Sequence, residues 1–172
     1  MNLLLGWVMA AMAAEGVYRV EATAAEGELL LAGSDDEWRH AERISFGPSE
    51  YRTSFRALWS GAGLHLRFDV ADKEPWHTMT KRDQHLWEEE VVEIFLDPGR
   101  AGRDYYELEI SPVNVVCEVR MIAPSPDKKQ DFDWRLAGLE TRAAIHREAE
   151  GKPDSWTATT TLPREGPRFA AV

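Results

Sequence analysis

The sequence predicts an all-β chain: an antiparallel β-sandwich, jelly-roll or immunoglobulin-like, with one short helix. Three observations carry that prediction. Apolar residues recur at period two in several separate stretches, and turn residues punctuate those stretches at short intervals. The chain has 172 residues, 44% of them apolar, which is enough for the core of one domain and too short for a large catalytic barrel.

The first segment, 3–14, is an apolar run shorter than the ~20 residues a bilayer span needs. Ala11-Met12-Ala13 has the small-x-small form of a signal-peptidase site, although Met1-Asn2 brings no basic side chain. Residues 1–14 are therefore expected to be a signal peptide and 15–172 a single domain, secreted or periplasmic; the missing basic charge leaves a cytoplasmic location open.

The clearest strands follow. Leu64, Leu66, Phe68 and Val70 alternate with His65, Arg67 and Asp69; Val92, Ile94 and Leu96 alternate with Glu93 and Phe95. Tyr106, Leu108 and Ile110 alternate with Tyr105, Glu107 and Glu109, and Val115, Cys117, Val119 and Met121 alternate with Val116, Glu118 and Arg120. Weaker strand candidates are 17–22, 28–32, 53–59, 141–147 and 156–162. Ser60-Gly61-Ala62-Gly63 reads as a hairpin turn, with further turns at Asp97-Pro98-Gly99 and Ser111-Pro112-Val113-Asn114. The helix is expected at 35–41, where an Asp can cap and Trp38 and Ala41 lie three apart.

Charge narrows the function classes. Twenty basic against thirty acidic residues leave a net charge of −10, which repels nucleic-acid phosphates and anionic lipid. One cysteine, Cys117, excludes an internal disulfide and a multi-cysteine zinc site; its place among valines reads as a buried core thiol. No nucleic-acid partner and no membrane span are expected, and oligomeric state is not legible.

Strand parity says where a ligand could sit. With Val92, Ile94 and Leu96 inward, Trp87, Glu89, Val91, Glu93 and Phe95 share the opposite face, provided the strand begins that early. A face that mixes aromatic rings with carboxylates suits a saccharide: pyranose C–H faces lie on the rings and the acids bond hydroxyls. Glu89, Glu93, Glu107 and Glu109 as cross-strand neighbours would repel, so Arg56, Arg67 and Arg120 or a bound cation should offset them. Trp76, in the polar 72–83 loop, is a second exposed ring or a lid over the core.

The run Leu86-Trp87-Glu88-Glu89-Glu90-Val91-Val92-Glu93-Ile94-Phe95-Leu96-Asp97-Pro98 resembles the Trp-Glu-x-Asp/Glu-x-Val-Glu-x-Phe-x-Asp strand of family 9 carbohydrate-binding modules. Gly33, Asp35, Asp36 and Trp38 resemble that family's opening element. The 56–59 and 63–68 stretches resemble its hairpin, and 105–112 its next strand. The resemblance implies a non-catalytic sandwich that binds plant polysaccharide or oligosaccharide, as in modules attached to xylanases and other glycoside hydrolases acting in polysaccharide catabolism. It implies that Trp87 is one of two clamp tryptophans and Glu93 a hydroxyl-binding acid. Glu109 stands where the family has a basic sugar-binding residue. The family's second clamp tryptophan follows the strand at 156–162, and the chain reaches Val172 without it; Trp76 or Trp134 are the substitutes, and the chain is expected to be truncated there.

The carbohydrate-binding set expected is thus Trp87, Glu93, Trp76, Glu89, Arg67 and Glu109, with no catalytic residue. The family's calcium ions make structural calcium a further expectation, with Asp69, Asp72, Glu74 and Asp97 as ligands. Two alternatives stand beside this reading. A DOMON-like redox module would bind haem through His77, Met79, His85 or Met121. A glycoside hydrolase would use a carboxylate pair such as Glu89/Glu93 or Glu107/Glu109.

Overall fold

The computed structural model describes residues 18–165 other than 26 and 149. The segment expected to be a signal peptide lies outside them. Among the described residues ten strands form two sheets. The first holds β1 (Glu21–Ala22), β2 (Ile44–Phe46), β3 (Thr53–Trp59), β4 (Gly63–Ala71), β9 (Glu140–Arg147) and β10 (Pro153–Pro163). Its order is β1-β3-β4-β10-β9, with β2 also on β3; β1 runs parallel to β3 and the other pairs are antiparallel. The second sheet is a meander of β5 (Val92–Leu96), β6 (Tyr105–Ile110), β7 (Val116–Ala123) and β8 (Lys129–Asp131).

The alternation legible in the sequence builds the core. Leu66, Phe68, Val70, Trp156 and Ala158 of the first sheet pack against Val92, Ile94, Leu96, Leu108 and Ile110 of the second in one buried cluster. The β3–β4 hairpin closes through Ser60 N–H donating to the Gly63 carbonyl at 3.0 Å. Gly63 has φ +150°, and a Cβ there would meet the Leu162 carbonyl oxygen at 2.0 Å, so only glycine fits this turn beside β10.

Two expectations need correction on the first sheet. The 28–32 stretch is not a strand but helix α1 (Gly27–Ala32), followed by α2 (Asp35–Trp38), shorter than the 35–41 helix expected. These helices cover the outer face of the first sheet. Leu30, Trp38, Ala41 and Leu58 form a second buried cluster there, and the Trp38 indole donates to the Leu30 carbonyl at 3.1 Å. His65, read as an outward polar residue, is sealed beneath them between Ser60 Oγ at 2.7 Å and Thr161 Oγ1 at 2.9 Å; burial lowers its pKa. Among the described residues the outer face of the second sheet receives no α-helix, and that difference bears on where a ligand can approach.

Strand β7 also departs from expectation. Its register pairs Leu108 with Glu118 and Glu109 with Cys117, so Glu118 faces the core side and Cys117 the opposite side. Glu118 is fully buried, ion-paired with Arg82, and accepts the Leu136 N–H at 2.8 Å. Cys117 is buried as well, but under the outer face; burial, then Glu109 and Asp83, push its pKa up to about 12. Strand β8 covers only the second half of β7. Along the first half Asp83 takes the edge: its N–H donates to the Val116 carbonyl at 3.0 Å and its Oδ1 accepts the Glu118 N–H at 3.2 Å.

Candidate functional site

The outer face of the second sheet carries a cavity of about 350 Å³, a size usual for small-molecule sites. Its floor is set by register. Glu93 stands opposite Glu109, Phe95 opposite Glu107, and Tyr105 opposite Met121. One rim is Trp87; the other is the 124–130 stretch, with Pro124, Ser125, Lys128 and Gln130.

Trp87 does not reach the cavity by strand parity. The strand starts at Val92, and Trp87 sits in a 3-10 turn, Leu86–Glu88. The ring is half-buried and braced by His85, stacked at 4.4 Å between centroids and 19° between planes; Phe132 lies 6.4 Å away and the Lys128 ammonium 5.9 Å. Phe95 is 51% exposed on the same face, tilted against Tyr105 at 6.2 Å. The lining therefore offers three aromatic rings around three carboxyls.

The carboxyls are electrostatically strained. Glu109 is 2% exposed, and its Oε2 has no hydrogen-bond partner. Burial, then Glu93 and Glu107, push its pKa up to about 8, while a hydrogen bond from the Trp87 backbone N–H opposes the rise. Burial and Glu107 raise Glu93; burial raises Glu107 against the Tyr105 hydroxyl bond and the Lys128 charge. Tyr105, donating to Glu107, is itself pushed up to about 12, by burial first.

Of the residues expected to bind sugar, the structure brings Trp87, Glu93 and Glu109 together and leaves three elsewhere. Arg67 lies on β4 in the first sheet, where it pairs with Asp69 at 2.7 Å and Asp35 at 2.9 Å and donates to the Gly33 carbonyl at 2.6 Å. It lines a second cavity, of about 520 Å³, on that sheet's outer side. Glu89 turns away from the β5 face, and its carboxylate is held by the Thr78 and Met79 N–H groups and the Thr78 hydroxyl. Burial works against its ionisation, but those hydrogen bonds prevail and lower its pKa. Trp76 is 60% exposed in its loop and lines neither cavity. Trp134 stacks on Tyr106 at 4.3 Å against the core. Phe95, Tyr105, Glu107 and Lys128 join the site beyond the expected binding set; the first three share the parity of Glu93 and Glu109, which placed them on outward faces from the sequence, whereas nothing in the sequence pointed to Lys128.

Of the residues considered for haem, His77 bonds the Pro75 carbonyl at 2.7 Å, the Met79 N–H donates to Glu89, His85 backs Trp87, and Met121 lies in the cavity floor. Among the calcium candidates, Asp69 is taken up by Arg56 and Arg67, and Asp97 accepts the Gly102 N–H through Oδ2 while its Oδ1, like the Asp72 Oδ2, has no partner. Asp72 is 2% exposed besides, and Glu74 and Glu90 lie close enough to interact by charge. Among the described residues no group of three or more His, Cys, Asp or Glu side chains could hold a metal ion, so a cation at Asp72 would draw on backbone carbonyls as well.

Comparison with known proteins locates this arrangement. Residues 35–149, more than half of the chain, match the family described as carbohydrate family 9 binding domain-like. A protein of Arthroderma benhamiae named extracellular protein is 25% identical over 123 residues, 65% of this chain and 54% of that relative, so the chain spans about half its length. A crystal structure from Bacteroides uniformis ATCC 8492, of a protein assigned to carbohydrate binding, superposes with a TM-score of 0.61 at 17% identity, over 84% of this chain and 71% of that one. A family 9 carbohydrate-binding module from Caldicellulosiruptor kristjanssonii, in complex with cellotriose, superposes with a TM-score of 0.52 at 16% identity, over 86% and 68%.

Proposed function

Because the chain belongs to the carbohydrate family 9 binding domain-like family, we propose that the cavity on the second sheet is its saccharide site and that the module binds without catalysing. The observation that carries this is the convergence of Trp87, Phe95 and Tyr105 with Glu93, Glu107 and Glu109 on the outer face of the second sheet. The rings offer flat apolar area to the C–H face of a pyranose, and the carboxyls accept its hydroxyls. One half-buried indole and solvent-competing hydrogen bonds give modest affinity after the cost of ordering the ligand. Calorimetric titration with cello- and xylo-oligosaccharides tests the reading. Saturable binding lost in Trp87→Ala is expected; heat of dilution alone across a panel of neutral and charged oligosaccharides overturns it.

Secretion is part of the same proposal, supported by the relative named extracellular protein and by the apolar 3–14 run. Among the described residues no helix is long and apolar enough to cross a membrane. A calcium ion held by Asp72 and Glu90 is a further part. The support is the unpartnered Asp72 Oδ2 beside a second raised carboxyl, which a divalent cation would neutralise while bracing the loop that leaves β4.

A further inference from the structure

The cavity's charge is more specific than its family. Glu109 lines the cavity and is buried, with one carboxyl oxygen, Oε2, unpartnered. Glu93 faces it across the strands and Glu107 follows on the same face. The one cation in the lining, Lys128, is an exposed residue lying over Trp87. A neutral hydroxyl can donate to such an acid, but it leaves the mutual repulsion in place. A metal would cancel the charge but bring no apolar face to lie against Trp87. A ligand ammonium does both, bringing three donors and a positive charge on a ring that can still lie against Trp87.

We infer, resting on the saccharide reading above, that this cavity prefers an amino sugar: a hexosamine unit with a free, protonated amine directed at the Glu93–Glu109 pair. The elevated pKa of Glu109, about 8, agrees with a site whose carboxyl holds a proton until a ligand cation replaces it.

The experiment is calorimetry on the full chain at pH 6.5 and low salt with three tetramers: β-1,4-linked glucosamine, its N-acetylated counterpart, and cellotetraose. Binding of the glucosamine tetramer at least about tenfold tighter than either neutral chain is expected. Glu109→Gln should bring that ratio toward one, and Glu93→Gln, at a less buried position, is the second variant should Glu109→Gln fail to melt cooperatively. Neutral tetramers binding as tightly as the amine, or a ratio unmoved in both variants, overturn the amino-sugar preference and leave the saccharide reading standing. Ethanolamine binding as tightly as the glucosamine tetramer also overturns it. No binding by any of the three tetramers, with heat of dilution alone for xylo-oligosaccharides as well, overturns the saccharide reading itself.

Discussion

Glu93 and Glu109 stand directly opposite one another on β5 and β6, on the face turned away from the core. The arginines that could have separated their charges are engaged elsewhere: Arg56 and Arg67 on Asp35 and Asp69 in the other sheet, and Arg120 on Asp104 at 2.7 Å. Like charges so placed destabilise a sheet. Here the folded protein relieves them by retaining protons, and that ties stability to pH.

The sign follows from the direction of the shifts. Glu109 is raised from 4.5 to about 8 in the fold, and Glu93, Glu107, Glu90 and Asp72 are raised too. Between pH 4.5 and about 8 the native state therefore binds more protons than the unfolded chain, and stability falls as pH rises through that window. Below it both states are protonated and the penalty vanishes. Urea denaturation at pH 5.5 and 8.5 should show the loss, on the order of 2–4 kcal/mol for the cluster. In Glu109→Gln the dependence should flatten and the protein should be more stable than wild type at pH 8.5. A wild type equally stable at both values contradicts the arrangement.

Trp87 separates binding from stability. Its indole is half-buried and stacks on His85, so replacement by Ala removes contact area without opening the core. We expect at least a tenfold loss in saccharide affinity and a melting temperature lower by about 2–4 °C, equivalent to ~1 kcal/mol. Trp38→Ala is the contrast. That ring is fully buried against Leu30 and Leu58, and its removal should cost about 3–5 kcal/mol with no specific effect on binding per folded molecule. Differential scanning calorimetry beside titration reads both. Global unfolding in Trp87→Ala would make this ring a core element and remove it from the site.

How much of this was legible in the sequence depended on the range of the interaction. Alternation along β4, β5 and β6 placed Leu66, Ile94 and Leu108 inside and Glu93 and Glu109 outside, because strand parity is local. It could not say which of two outer faces a residue joins. Arg67 and Glu93 are both outward, but β4 pairs with β10 and β5 with β6, and such long-range pairing leaves no periodic trace. The Gly27–Ala32 helix was misread because its three leucines form a short apolar run that fits strand or helix equally; packing of Leu30 on Trp38 decides it. Ile44–Phe46 and Lys129–Asp131 are too short to show a period. On β7 polarity itself misled, since Glu118 faces the core side with its charge matched by Arg82.

The loop after β4 offers a metal test. If a divalent cation sits at Asp72 and Glu90, millimolar calcium should raise the melting temperature of the full chain and a chelator should reverse it, since a ligand that binds only the folded state stabilises by mass action. Asp72→Asn should abolish the calcium response; because Oδ2 is unpartnered, the pKa is raised, and an asparagine Oδ1 can still accept the Glu74 N–H, the variant should be no less stable than wild type without calcium. A wild type indifferent to calcium removes the ion from this loop.

The last prediction concerns the charge buried on β7. Glu118 pairs with Arg82, lies 4.0 Å from the Arg135 Nε, and accepts the Leu136 N–H; Arg135 in turn holds Asp83, which closes the free edge of β7. The network pins the 81–84 and 132–136 stretches to the strand that underlies the cavity. Glu118→Ala leaves Arg82 to water but strips the buried Leu136 N–H of its acceptor, so it should cost about 1–3 kcal/mol. Arg82→Ala should cost more, about 3–5 kcal/mol, because it leaves the buried Glu118 carboxylate with only the more distant Arg135. Since Leu136 and the Asp83 edge lose their anchor together, the double variant Glu118→Ala/Arg135→Ala should fall short of the sum of the single changes. Denaturant titrations of the four proteins measure that coupling. Strict additivity would mean that the two side chains act independently and that the edge of β7 is held by Asp83 alone.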